Sequence, residues 1–227
     1  MEILNVTTSI LQLLREKIIT CELKPGQKLN ESNLSKSFGI SRPPLREAFR
    51  VLEKDNMVVN VPRKGTYVTE LSSKNYTEVS QVREMIECYT IELLKSLSIR
   101  NLPKVTMALS RASSLSMPLD STDPKKLLGY EKVFLDFHKN LVESSENTLL
   151  ISIYNAISIN LARYQFIYFY IDGTTKHSLE DHYRILEFIT NGDYDQAKEE
   201  LKKHINYTIE LVKSELVKSR ILDPAIF

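Results

Sequence analysis

The apolar positions of this 227-residue chain change period along its length, and the changes mark its elements. Ile10, Leu11, Leu14 and Ile18 recur three and four residues apart, which predicts a helix over residues 8–20. Lys24-Pro25-Gly26 then turns the chain. A short helix is expected over residues 31–38, with Leu34 and Phe38 inward, Asn30 as its cap and Gly39 as its stop. A third helix starts at Ser41, whose hydroxyl suits an N-cap. Pro43 and Pro44 fall in its first turn, where missing N–H groups cost little. Leu45, Ala48, Phe49 and Leu52 form its apolar face. The pattern next switches to two β-branched runs, Val58-Val59-Asn60-Val61 and Thr66-Tyr67-Val68-Thr69. They bracket Pro62-Arg63-Lys64-Gly65 and read as a hairpin with a basic tip.

Residues 71–74 form a short polar linker, and beyond it the period is helical almost throughout. Val79, Val82, Ile86, Tyr89, Leu93 and Leu97 stripe a helix over residues 76–99. Further helices are expected over 103–115, 124–143, 147–170, 179–191 and 194–220. A loop at 117–124 and the breaks Ser144-Ser145, Asp172-Gly173-Thr174-Thr175 and Asn191-Gly192-Asp193 separate them. The expected fold class is therefore mainly α. Residues 1–70 form an N-terminal winged helix-turn-helix of three helices plus a β-hairpin, and residues 75–222 form an all-α helical bundle.

Charge sharpens the reading of the N-terminal part. Residues 1–70 carry eleven Lys/Arg against eight Asp/Glu, a net of +3, while the remainder carries nineteen against twenty-one, a net of −2. Arg42, Arg46 and Arg50 stand four apart on one stripe of the third helix, away from its apolar face. A basic ridge on a short anchored helix suits the major groove of double-stranded DNA, and Arg63 and Lys64 on the hairpin tip suit a phosphate or the minor groove beside it. The plainer alternative is a surface helix whose arginines are only solvated.

No apolar run reaches membrane-spanning length, and the opening MEILNVTTS lacks the basic region and cleavage site of a signal peptide, so no membrane partner and a cytoplasmic location are expected. Cys21 and Cys88 lack metal-type spacing and read as small buried apolar groups.

Of four histidines, three sit on apolar stripes of three different helices. His138 lies with Phe134, Phe137 and Leu141, His182 with Leu179, Ile185 and Ile189, and His204 with Ala197, Leu201 and Ile205. One inward histidine is ordinarily a hydrogen-bonded core residue, but three converging in a bundle suit a divalent metal such as zinc or nickel. His177 reads as a bystander. Three histidines on zinc with an open position would also serve a metal-dependent hydrolase. Against that stand the missing HExxH motif and the lack of a general base beside the histidines, since Glu180 and Asp181 are expected to point elsewhere.

The run GQKLNESNLSKSFGISRPPLREAFRVLEKDNMV, followed by RKGTYV, resembles the winged-helix DNA-binding domain of the GntR family of bacterial transcription regulators. The resemblance implies DNA contacts at Ser41, Arg42, Arg46, Gly65 and Thr66, and it places Ser32 where several members carry an Arg. FHKNLVESSENTLL and DHYRILEFITNGDYDQAKEELKKHI resemble two blocks of the ligand-sensing helical (FCD-type) domain of the family's FadR branch. Many such members bind a divalent metal through an Asp and three His. The Asp is normally four residues before the first His, and here that position is Phe134, while Asp136 points off the face. Either three histidines hold the metal with water and effector, or this member binds none. One winged-helix module gives only a few base contacts, so a homodimer on a palindromic operator is expected; the resemblance implies a small-molecule effector, with a carboxylate as the expected class. Its contacts are expected at Arg83, Glu87 and Asn147, with Arg163 or Tyr164 at the edge. For Arg83 and Glu87 a plain i,i+4 pair on the helix surface is the alternative.

Overall fold

Leu14 and Ile18 of the first helix and Leu45 and Leu52 of the third are fully buried, and they are the centre of the N-terminal core. The computed structural model describes residues 2–115, 124–171 and 173–218. The chain divides between Ser72 and Ser73 into two units, each with its own core.

The N-terminal unit comprises α1 (Glu2–Ile19), β1 (Lys28–Leu29), α2 (Glu31–Phe38), α3 (Arg42–Lys54), β2 (Val58–Val61) and β3 (Gly65–Val68). Helix α1 begins six residues before the expected start. No Gly or Pro interrupts residues 2–8, and Val6 is 38% exposed, so the extension leaves no core stripe to betray it. Helix α2 has the expected ends. The Asn30 side chain accepts from the amides of Ser32 and Asn33, and Gly39 closes the helix in the left-handed region at φ 63°. Leu34 and Phe38 are only half-buried, however, and α2 has no buried residue.

Helix α3 corrects one expectation. Ser41 has N-cap backbone geometry, but its side chain makes no capping hydrogen bond. A cap oxygen accepts from the second or third helical N–H, and in α3 these positions are Pro43 and Pro44, which have none. Pro44, Leu45, Ala48, Phe49 and Leu52 are buried against α1. Strands β2 and β3 pair antiparallel from Val58↔Val68 to Val61↔Gly65. The two-residue β1, too short to show in the sequence, adds to the far edge of β3 to give the order β1-β3-β2. The hairpin turns with Arg63 at φ 64° and Gly65 at φ 105°. Glu53 of α3 ties the hairpin to the helix by accepting from the Asn60 amide at 3.1 Å.

The C-terminal unit comprises α4 (Ser73–Ser96), α5 (Pro103–Ser114), α6 (Pro124–Glu143), α7 (Thr148–Phe169), α8 (Thr174–Asn191) and α9 (Tyr194–Lys218). The expected loop at 117–124 lies, except for its last residue, outside the described residues, as do Asp172 and the chain beyond Lys218. Helix α4 packs on α9 and α7, α8 on α9, and α6 on α5 and α7. Ile86, Val142 and Tyr154 join α4, α6 and α7 in one apolar cluster. The stripe expected on α4 is mostly not its buried face. Val82, Tyr89 and Leu97 are exposed, while Tyr76, Ser80, Arg83, Glu87 and Thr90 turn inward with Ile86, Ile91 and Leu94. Helix α8 starts at Thr174, five residues before the expected start. Thr174 is buried, and its hydroxyl donates to the carbonyl oxygens of Tyr168 (3.0 Å) and Ile171 (2.7 Å), which builds the break into the helix end. Residues 161–169 of α7 are buried without interruption, so its aromatic run is core. Cys21 is buried as expected, but Cys88 is half-buried, its thiol pushed up to about 11 by burial.

Candidate functional sites: an arginine face and a histidine cluster

Burial of Leu45, Ala48, Phe49 and Leu52 fixes the rotation of α3 and leaves Arg42, Arg46 and Arg50 exposed on its other side. Each is held by a weak neighbour. Arg42 donates to the Ser32 hydroxyl at 3.0 Å, Arg46 to Glu31 at 2.9 Å and Arg50 to Glu47 at 3.1 Å. Ion pairs this exposed contribute at most about 1 kcal/mol, so a phosphate or a guanine edge can displace them. Arg46 and Arg50 border a groove of about 240 Å³ whose other wall is Asn60 and Thr66 of the hairpin. Arg63 and Lys64 are exposed at the hairpin tip, and Gly65 is half-buried. Thr66, named with the expected DNA contacts, is only 9% exposed and offers that groove little beyond its edge.

In the C-terminal unit α6, α8 and α9 bring His138, His182 and His204 together, with one nitrogen of each within 4.8 Å of the others. All three are buried. Burial pushes the imidazoles of His138 and His182 well below their ordinary range, helped next by the Arg83 charge at His138 and by the other two rings at His182. For His204 burial outweighs the opposing effect of the hydrogen bond it donates to Asp181. The rings are therefore neutral, and their partners fix the tautomers. Arg83 lies with a terminal guanidinium nitrogen 2.6 Å from His138 Nε2. A guanidinium can only donate, so Nε2 accepts and the His138 proton sits on Nδ1, which donates to Glu87 Oε2 at 2.8 Å. Glu87 Oε1 accepts from Arg83 Nε at 2.8 Å. Asp181 Oδ2 accepts from His204 Nδ1 at 3.0 Å, leaving His204 Nε2 to accept from His182 Nε2 at 3.3 Å. His182 Nδ1 then carries a bare lone pair with no partner. Phe137 stacks on the His182 ring at 4.0 Å between centroids, and Phe134 lies 6.1 Å from it.

The residue pair on α4 is thus neither exposed nor a surface decoration, since Arg83 and Glu87 are completely buried and form the floor of the histidine cluster. Asp181 was expected to point elsewhere. It is buried and reaches His204 because α8 and α9 lie side by side, while His177 and Arg184 hold its other contacts. Burial raises the Asp181 carboxyl, but the His204 hydrogen bond and the Arg184 guanidinium beside it outweigh that and hold the group below its ordinary value. Asn147, named with the effector contacts, is placed at the start of α7. It is exposed, and its side chain caps α7 by accepting from the Leu150 amide at 3.1 Å. Arg163 and Tyr164 are buried in α7, but the pocket edge is formed by Gln165, Tyr168 and Phe169. Asp136 points off the face and pairs with Arg111 at 3.1 Å. His177 stays outside the cluster. Sequence reasoning passed over Glu131. It lies two turns before His138 on α6, is 1% exposed, has an unpartnered Oε1 and is pushed up to about 8 by burial.

The pocket among the three histidines holds only about 10 Å³, roughly one water. The three nitrogens are grouped closely enough to hold a metal ion, but they are already engaged. His138 Nε2 is taken by Arg83, His204 Nε2 faces His182, and the position that supplies a carboxylate in resembling proteins carries the Phe134 ring.

The family model described as bacterial regulatory proteins, gntR family, matches residues 6–68, and the FCD domain model matches residues 78–207. The chain belongs to the GntR family, with an FCD domain. It is 27% identical over 201 residues to the HTH-type transcriptional regulator YdhC of Bacillus subtilis, covering 88% of each chain. It is 23% identical to the HTH-type transcriptional repressor RspR of Escherichia coli, covering 92% of this chain and 89% of that one. A crystal structure of a GntR transcriptional regulator from Rhodococcus sp. RHA1 shares the fold at a TM-score of 0.72 and 20% identity, over 91% of this chain and 96% of that one. This GntR regulator is a DNA-binding transcription regulator with a ligand-sensing domain, and the families and relatives it matches are regulators. The hydrolase alternative finds no support among its relatives. Among the described residues no helix is long and apolar enough to cross a membrane.

Proposed function

We propose that residues 1–70 read a palindromic operator as one half of a homodimer, and that residues 75–222 change operator affinity when a small carboxylate binds at the histidine cluster. One observation carries the DNA half of this reading. The three arginines of α3 share an exposed face, and every ion pair they make is one that water or phosphate can replace. Arg42, Arg46 and Arg50 reach base edges and phosphates, Ser41 and Gly65 approach the backbone, and Arg63 and Lys64 follow the strand beside the hairpin. Thr66 serves only as the groove wall.

Dimerisation is supported by specificity and by surface. A single recognition helix offers few base contacts, each contributing about 1–3 kcal/mol, and two on one palindrome multiply the discrimination. Val82, Met85 and Tyr89 of α4 and Leu149 and Ile153 of α7 are exposed apolar side chains, and they suit a second copy of the chain. For the sensing half, the buried guanidinium of Arg83 is the charge that favours an anion. A pocket of about 10 Å³ has no room for a metabolite, so binding and rearrangement of the helices around it are one event. By linkage, an effector that weakens operator binding is itself bound more weakly on DNA by the same factor. Substituting Arg46→Ala and titrating operator and scrambled duplexes at one fixed salt concentration tests the assignment. Loss of operator preference with an unchanged melt is expected, and an unchanged preference would sink it.

A further inference from the structure

In many proteins this chain resembles, an Asp and three His hold a divalent ion. Here the three imidazoles remain, but the carboxylate is replaced by the ring of Phe134, and a cation already stands among the histidines. Arg83 is 0% exposed, donates to Glu87 Oε1 and lies 2.6 Å from His138 Nε2, the lone pair a metal would need. We infer that Arg83 is the resident cation of this cluster, so the sensing unit folds and works without a divalent metal.

Three features of the hydrogen bonding support this. First, the imidazole nitrogens that face one another already have partners. His138 Nε2 accepts from Arg83, and His204 Nε2 pairs with His182 Nε2 at 3.3 Å. Second, the charges already balance. Glu87 neutralises Arg83, and Asp181 is matched by Arg184 with His177 beside it, so a divalent ion would add two uncompensated positive charges beside a buried guanidinium. Third, Arg83 cannot step aside cheaply. If it left, Glu87 would be a buried carboxylate with no cation beside it. The NH1 group of Arg83 makes no hydrogen bond and is the donor left over for an incoming anion. The inference rests on taking the histidine cluster as the sensing site, but its test reads metal content and melting, which do not depend on any effector.

The experiment uses the full chain, expressed without a histidine tag and dialysed against metal-free buffer. Inductively coupled plasma mass spectrometry should find less than about 0.1 equivalent of zinc, nickel, manganese or iron per chain, and excess EDTA should leave the Tm within about 1 °C. Near-stoichiometric metal that survives dialysis, or a Tm lowered by EDTA, overturns the inference. The double variant R83M/E87Q removes both partners of the buried pair, which is better tolerated than removing one. Freed of its guanidinium partner, His138 Nε2 should join the Nε2 atoms of His182 and His204, the His182 proton moving to its unpartnered Nδ1, and the variant should take up about one zinc per chain with a raised Tm. A cooperatively melting variant that takes up none would show that Arg83 is not what excludes the ion. The wild-type metal content decides the matter whether or not that variant folds.

Discussion

Arginines serve the two units in opposite ways. Arg42, Arg46 and Arg50 lie in water on α3 and touch neighbours they can release, while Arg83 is sealed inside the bundle with both of its contacts fixed. A guanidinium in water keeps its hydration and exchanges one partner for another at little cost. A buried one has given up its hydration and depends on Glu87 and His138 to replace it. The first kind suits a partner that comes and goes, and the second suits a fixed charge around which neutral imidazoles arrange their protons.

The sharpest way to break this contrast is Arg83→Ala, which leaves Glu87 buried without its cation. It should cost about 3–5 kcal/mol, lowering the Tm of the C-terminal unit by roughly 10 °C, and calorimetry reads it directly. A loss below 1 °C would place Arg83 among the exchangeable arginines. Arg46→Ala should remove about 1–3 kcal/mol of operator discrimination per half-site and leave the melt unchanged, as read by competition binding at fixed salt. Glu131 extends the contrast to a buried acid. Its carboxyl rises from an ordinary 4.5 to about 8 on folding, so folding takes up a proton. Its contribution to stability is complete below about pH 4.5 and is lost as pH rises through 8. Glu131→Gln should therefore match the wild type near pH 4.5 and melt several degrees higher at pH 9; equal melts at pH 9 would contradict that. The smallest effect belongs to Arg63→Ala at the hairpin tip. It should weaken operator and scrambled DNA alike and lower the magnitude of the salt slope by about one, in a titration across salt concentrations.

Much of this architecture was legible in the sequence where side-chain polarity and burial agree. Helix α6 runs from Pro124 to Glu143 as its pattern predicts, and Asn30 and Gly39 close α2 because their caps need no tertiary partner. Legibility failed where burial follows hydrogen bonding. Helix α4 turns Ser80, Arg83, Glu87 and Thr90 inward and leaves Met85, Tyr89 and Leu97 outward, so an apolar count points to the wrong face. Strand β1 escaped because two residues carry no period, and pairing with Thr66 and Tyr67 alone defines it. At the histidine cluster the sequence indicated which rings converge. It could not show that Asp181 reaches His204 or that Arg83 occupies the His138 lone pair, because both depend on helices that touch only in the folded bundle.

The start of α3 has a consequence for phosphate recognition. Most helices that greet a phosphate present a fan of amide hydrogens, but here Pro43 and Pro44 empty the second and third places of that fan. Only the Arg42 amide remains in the first three positions, together with a Ser41 hydroxyl that has no helical duty. The mouth of the reading helix is thereby stripped of generic anion affinity. In the proposed DNA contact, what it grips depends on one alcohol and on guanidinium reach.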